Sequence, residues 1–72
     1  MPLCFISIRD DLVATGSRDG KIKIWDGSRE IKQFEGHIGG VCCLAVIKQQ
    51  GIPIFMVSGS DHVENSIIVW NL

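Results

Sequence analysis

Leu12-Val13-Ala14-Thr15-Gly16-Ser17-Arg18-Asp19-Gly20-Lys21-Ile22-Lys23-Ile24-Trp25-Asp26 is the stretch that decides the fold. Lys21-Ile22-Lys23-Ile24-Trp25 alternates polar and apolar residues, the period of two expected of a strand with one buried face. Leu12–Thr15 is a second extended apolar run. The segment between them closes on Asp19-Gly20, a tight-hairpin signal because glycine takes positive φ at no steric cost. The stretch therefore predicts two antiparallel strands joined by a short turn.

The same pattern extends in both directions. Upstream, Cys4–Ile8 is a short apolar run ended by Asp10-Asp11. Downstream, Asp26-Gly27-Ser28 is a turn and Glu30–Phe34 alternates again, which predicts four consecutive short strands. After Gly36-His37-Ile38-Gly39-Gly40 the pattern restarts. Val41–Val46, Ile54–Ser58 and Ser66–Trp70 are strand-like, with a loop at Gln49-Gln50-Gly51 and a turn from Gly59 to Asn65. The nearest approach to a helix, Ser28–Lys32, is too short to stand alone. The expected fold class is all-β: an antiparallel four-stranded unit followed by three strands of a second.

The two units are an internal repeat, with Trp25 on Trp70 at an offset of 45 residues. Ile24 falls on Val69, Ile22 on Ile67 and Asp26 on Asn71. Thr15-Gly16-Ser17 falls on Ser58-Gly59-Ser60, leaving two extra residues in the second hairpin turn. Cys4-Phe5-Ile6 is set on Leu44-Ala45-Val46, with three extra residues in the following loop. A period of this length fits a four-stranded propeller blade.

These motifs, in this order, resemble the WD40 repeat. Leu12–Asp26 looks like the second half of one repeat, Gly36-His37 like the opening of the next, and Ser58-Gly59-Ser60 with Ile67–Asn71 like its continuation, with Asn for Asp. The resemblance implies a partial β-propeller. Residues 1–35 form one blade, with strands Leu3–Ile8, Leu12–Ser17, Lys21–Trp25 and Glu30–Phe34. Residues 36–72 form an incomplete second blade of three strands, Val41–Ile47, Ile54–Ser58 and Ser66–Trp70.

It also implies a structural relay. A Trp indole only donates a hydrogen bond, a hydroxyl and an imidazole each do both, and a carboxylate only accepts. Trp, Ser or Thr, His and Asp can therefore satisfy one another in sequence inside a low-dielectric interior. In the second blade Trp70, Ser58 and His37 match. For the acid, Asp61 and Glu64 both remain open, with Asp61 favoured as a short turn former. In the first blade Trp25, Thr15 and Asp19 match, and no His precedes them.

Composition narrows the function classes. Apolar residues are 46% and charged residues 21% of 72, with a net charge of −1, which suits a small globular domain and not a disordered or strongly basic chain. Nucleic acid is therefore an unlikely partner. The longest apolar run, Val41–Ile47, is far short of a membrane span. Met1-Pro2-Leu3 gives no secretory pattern. The three cysteines, Cys4, Cys42 and Cys43, suit a reducing compartment, so the expected location is cytoplasmic or nuclear.

We read His37 as a satisfied relay histidine rather than a metal ligand or catalytic base. Cys42 and Cys43 are read as small hydrophobes, because neighbours on a regular strand point to opposite faces and no Cys-x-x-Cys spacing exists. Ser58, Ser60, Asp61 and His62 lack the strand-turn-helix setting of a nucleophile elbow. No catalytic, metal or cofactor site is expected.

The resemblance implies a non-enzymatic platform for proteins or peptides, bound through loops on a rigid scaffold. Arg18, Ser60, Gly39 and Gly40 are the expected partner-facing residues, Arg18 first because Arg is enriched at hot spots. Arg29 stands one position too far after Trp25-Asp26 to match the arginine of the family's ubiquitin-ligase receptors. Two alternatives stay open: a truncated structural fragment without independent activity, and a ribonucleoprotein-associated module. With fewer than two blades, Ile6, Val13, Leu44, Val57 and Ile68 are expected to be open to water. The chain is then expected to need further blades or copies of itself.

Overall fold

A computed structural model describes residues 2–61 and 67–72. Seven strands run in order: β1 (Pro2–Arg9), β2 (Leu12–Ser17), β3 (Lys21–Asp26), β4 (Arg29–Glu35), β5 (Val41–Gln49), β6 (Ile52–Ser60) and β7 (Ile67–Asn71). They form a four-stranded antiparallel sheet β1-β2-β3-β4 and a three-stranded antiparallel sheet β5-β6-β7. Among the described residues there is no helix long and apolar enough to cross a membrane. The expected longer turn between Gly59 and Trp70 falls largely on residues 62–66, outside the described residues.

Turn chemistry sets the hairpins. Gly20 takes φ +86° and its N–H closes the β2–β3 turn on Ser17 O at 3.2 Å. Gln50 and Gly51 both take positive φ, 53° and 79°, as a two-residue hairpin connection requires. The β3–β4 turn is tied to the β1–β2 turn by Gly27 N–H donating to Asp11 O at 2.9 Å.

The pairing registers correct the repeat alignment in the first strand. Cys4 lies opposite Gly16, and Cys43 lies opposite Gly59. The match to Cys4 is thus Cys43, not Leu44, and Phe5 corresponds to Leu44. A slip of one residue moves every side chain to the other face of a sheet. The sequence allows either setting because Val41–Ile47 is apolar on both faces.

The core lies between the sheets. Ile8, Ala14, Ile22 and Ile24 of the first sheet pack with Val41 and Met56 of the second, flanked by Cys4, Ile6, Leu12, Phe34, Leu44, Val46 and Trp70. Gly16 permits the closest approach: a Cβ there would lie 2.5 Å from Val41 Cγ1 and 2.9 Å from Cys4 Sγ. β2 can therefore press on β5 only because residue 16 has no side chain.

The open faces differ from expectation. Ile6, Val13, Leu44, Val57 and Ile68 are half-buried. On the second sheet, the outer face is carried by Cys43, Ala45, Ile47, Phe55, Val57, Ile67 and Val69, as pairing along β5, β6 and β7 requires. Ile67 and Val69 are 71% and 59% exposed, whereas their repeat partners Ile22 and Ile24 are 0% and 4% exposed. The same face is dry in the first sheet, because the second sheet covers it, and wet in the second.

Bulges break strict alternation. In β5, Val41 pairs with Ser60 and Cys43 with Gly59, which makes Cys42 an extra residue. Cys42 and Cys43 are consequently both exposed, and not one in and one out. Similar one-residue extras occur at Ile8 in β1, Ile31 in β4 and Ile54 in β6.

Candidate functional site

Ser58 is fully buried on β6, between Leu44 of β5 and Ile68 of β7. Trp70 Nε1 donates to Ser58 Oγ at 2.7 Å, and His37 Nε2 lies 2.6 Å from the same oxygen. Because the indole can only donate, Ser58 accepts from Trp70, and its own proton is best placed on His37 Nε2, leaving the imidazole proton on Nδ1. His37 makes a further interaction as well. Trp70 also packs against Phe34 at 4.9 Å between ring centroids, with the His37 ring at its edge at 6.5 Å. The cluster joins β6 and β7 to the end of β4 and to the loop that follows it. Among the described residues no buried side-chain polar atom lacks a partner.

The first sheet holds only part of this arrangement. Trp25 Nε1 donates to Thr15 Oγ1 at 2.9 Å, on the sheet's outer face. Asp19 does not join them. Its carboxylate accepts from Ser17 Oγ and from Lys21 N–H at 3.1 Å, closing its own turn. The Ser17 bond, then the Lys21 N–H, hold the Asp19 carboxyl below the usual carboxylate range. Among the described residues nothing links the acid to Thr15.

Asp61 is exposed, and its backbone N–H donates to Gly40 O at 3.3 Å. The structure thus brings His37, Ser58 and Trp70 together and leaves the Asp61 side chain outside that cluster. Glu64, the alternative acid, and His62 lie outside the described residues.

The turn and loop end carries the expected partner-facing residues. Arg18 is exposed, with no ion pair or hydrogen bond among the described residues. Gly39 is half-buried, and Ser60 is half-buried with a partner of its own. Gly40 is buried, and its carbonyl serves Asp61 and the Cys42 thiol, so it supports the loop rather than presenting a surface. Gly20 packs against the loop so closely that a Cβ would lie 2.4 Å from His37 O. That contact holds Arg18 beside the His37–Gly40 loop. Sequence reasoning missed Ile38, which is exposed in the loop after β4. Its signal is an aliphatic residue between His37 and Gly39-Gly40, where a loop otherwise favours polar types. Among the described residues no group of three or more His, Cys, Asp or Glu side chains is placed to hold a metal ion.

The family described as "WD domain, G-beta repeat" matches residues 3–26 and 28–71. Among curated proteins, the chain is similar to the ribosome biogenesis protein WDR12 homolog of Chlamydomonas reinhardtii, at 29% identity over 62 residues. That alignment covers 85% of this chain and 13% of the algal protein's length. No solved structure matches the chain. The two sheets in repeat register, the Trp-Ser-His cluster and a family match spanning both repeats lead to one conclusion: the chain belongs to the WD40 repeat family.

Proposed function

We propose that this chain is a non-enzymatic protein-interaction scaffold that works within a larger propeller, its outer sheet faces covered by further blades of the same kind. The observation that carries this is the exposed face of Ile47, Phe55, Ile67 and Val69. Its equivalent in the first sheet is the core of the molecule. Covering such a face is favourable by roughly 25 cal/mol per Å² of apolar area. Polar chemistry at Ser58 and His37 is spent on holding Trp70, which suits a scaffold. Arg18, with Ile38 beside Gly39, is the surface we assign to a protein or peptide partner.

Sedimentation of the 72-residue chain at micromolar concentration tests the reading. A discrete multimer, dispersed by Val69→Glu without loss of the β circular dichroism, supports it. A sharply melting monomer refutes it.

A part in ribosome biogenesis is a second reading, favoured by the similarity to the algal protein of that name. On this reading the chain works in the nucleus. Co-sedimentation of the tagged chain with pre-ribosomal particles supports it, and a soluble pool free of them refutes it.

A further inference from the structure

A groove of about 270 Å³ opens between the two sheets at the end opposite Arg18 and His37. Ile8, Leu12, Ile24, Phe34 and Pro53 form its bed, with Ile31, Ile52 and Leu72 at its rim. Ile31 of β4 and Ile52 of β6 are 51% and 64% exposed. Blade stacking does not account for them, since a neighbouring blade covers sheet faces and leaves the strand ends open.

Two further observations point to a ligand. The first is backbone geometry. Ile8 and Ile31 are both the extra residues of β-bulges, and both line the groove. Strict alternation on β4 places Ile31 on the outer face with Gln33, and the bulge turns it toward the groove instead. Bulges re-aim side chains in this way beside binding sites. The second is charge. Among the described residues, Arg9 and Lys32 carry the only ionisable side chains in the lining. Both are exposed, and neither forms an ion pair or hydrogen bond among the described residues. Lys32 is held over the Phe34 ring at 5.0 Å, so its position is fixed by the apolar bed. The acids of the adjoining turn, Asp10 and Asp11, do not line the groove.

We propose that this groove is a docking site for a short acidic peptide segment of a partner protein. One bulky aliphatic or aromatic side chain seats against Ile8, Leu12 and Phe34, and flanking carboxylates meet Arg9 and Lys32. The volume is below the roughly 300–1,000 Å³ of small-molecule sites, which suits a side chain or two rather than a cofactor. The lining residues all belong to one copy of the chain.

Panning a random dodecapeptide library against the 72-residue chain tests this, followed by fluorescence anisotropy of the selected peptide. The expected consensus pairs Asp or Glu with Leu, Ile, Phe or Trp. Affinity falls by about tenfold or more in Arg9→Glu/Lys32→Glu, in line with the loss of charge pairs at a binding rim. Both substitutions are at exposed positions and keep the β circular dichroism. Ile31→Ser weakens binding without altering net charge. Amide shifts on binding centre on Ile8, Leu12, Lys32, Ile52 and Leu72. A basic or uncharged consensus, no enrichment at all, unchanged affinity after charge reversal, or shifts centred on Ile67 and Val69 overturns the proposal.

Discussion

Ser58→Ala and Thr15→Ala remove the same chemical group from equivalent positions of the two repeats, and the structure predicts unequal losses. Ser58 Oγ is fully buried and serves both Trp70 Nε1 at 2.7 Å and His37 Nε2 at 2.6 Å. Its removal strands two polar groups, and His37 is itself only 7% exposed. Each stranded buried group costs roughly 1–3 kcal/mol, so the pair costs about 2–4 kcal/mol once the partial exposure of Trp70 is allowed for. Thr15 Oγ1 serves Trp25 alone, at 2.9 Å, on a half-exposed face where water can replace it. That change costs about 1 kcal/mol, the net worth of an ordinary hydrogen bond. Urea unfolding followed by far-ultraviolet circular dichroism, at one fixed protein concentration, measures both. The difference corresponds to a shift in melting temperature of roughly 4–8 °C per kcal/mol for a domain of this size. Equal losses, or a larger loss at Thr15, would refute the assignment of Ser58 as the shared centre of a buried cluster. A His37→Ala/Ser58→Ala double variant no less stable than Ser58→Ala alone would show that the two act as one unit.

Gly20→Ala should destabilise by more than about 1 kcal/mol, because a Cβ meets His37 O and the residue must keep positive φ; a melting curve like the parent's counts against the docked turn. Asp19 has a folded pKa below its unfolded one, so its contribution to stability is present above the unfolded pKa of about 4 and is lost as pH falls through the folded value. Asp19→Asn should therefore flatten the acid limb of the stability curve, and an NMR titration of the Asp19 carboxyl should have a midpoint below the ordinary carboxylate range. Burial raises the Cys4 thiol pKa, the largest effect on it, while Cys42 and Cys43 are exposed. A disulfide reagent at pH 8 should modify two thiols quickly and the third slowly, and three equal rates would contradict the half-buried position of Cys4.

The sequence by itself determined the strands, their order and the repeat. Alternation in Lys21–Trp25, the Asp19-Gly20 turn and the recurrence of Trp at residue 70 are local signals, each set by the pleat of a strand or the φ of a glycine. The joining of Trp70, Ser58 and His37 was legible too, because donors and acceptors must be matched and the spacing resembles a known blade. The acid was not legible in the same way. Asp19 accepts from Ser17 and Lys21 of its own turn, the nearest donors to a short carboxylate. Tertiary structure alone decided how β1 matches β5, because Val41–Ile47 is apolar at every position and the match is read from the pairings Cys4–Gly16 and Cys43–Gly59. It alone decided the bulges at Ile8, Ile31 and Cys42, which cost one ladder position each and leave no mark in composition. The groove between the strand ends belongs to the same class: its walls come from five strands and Leu72, brought together only when one sheet packs on the other.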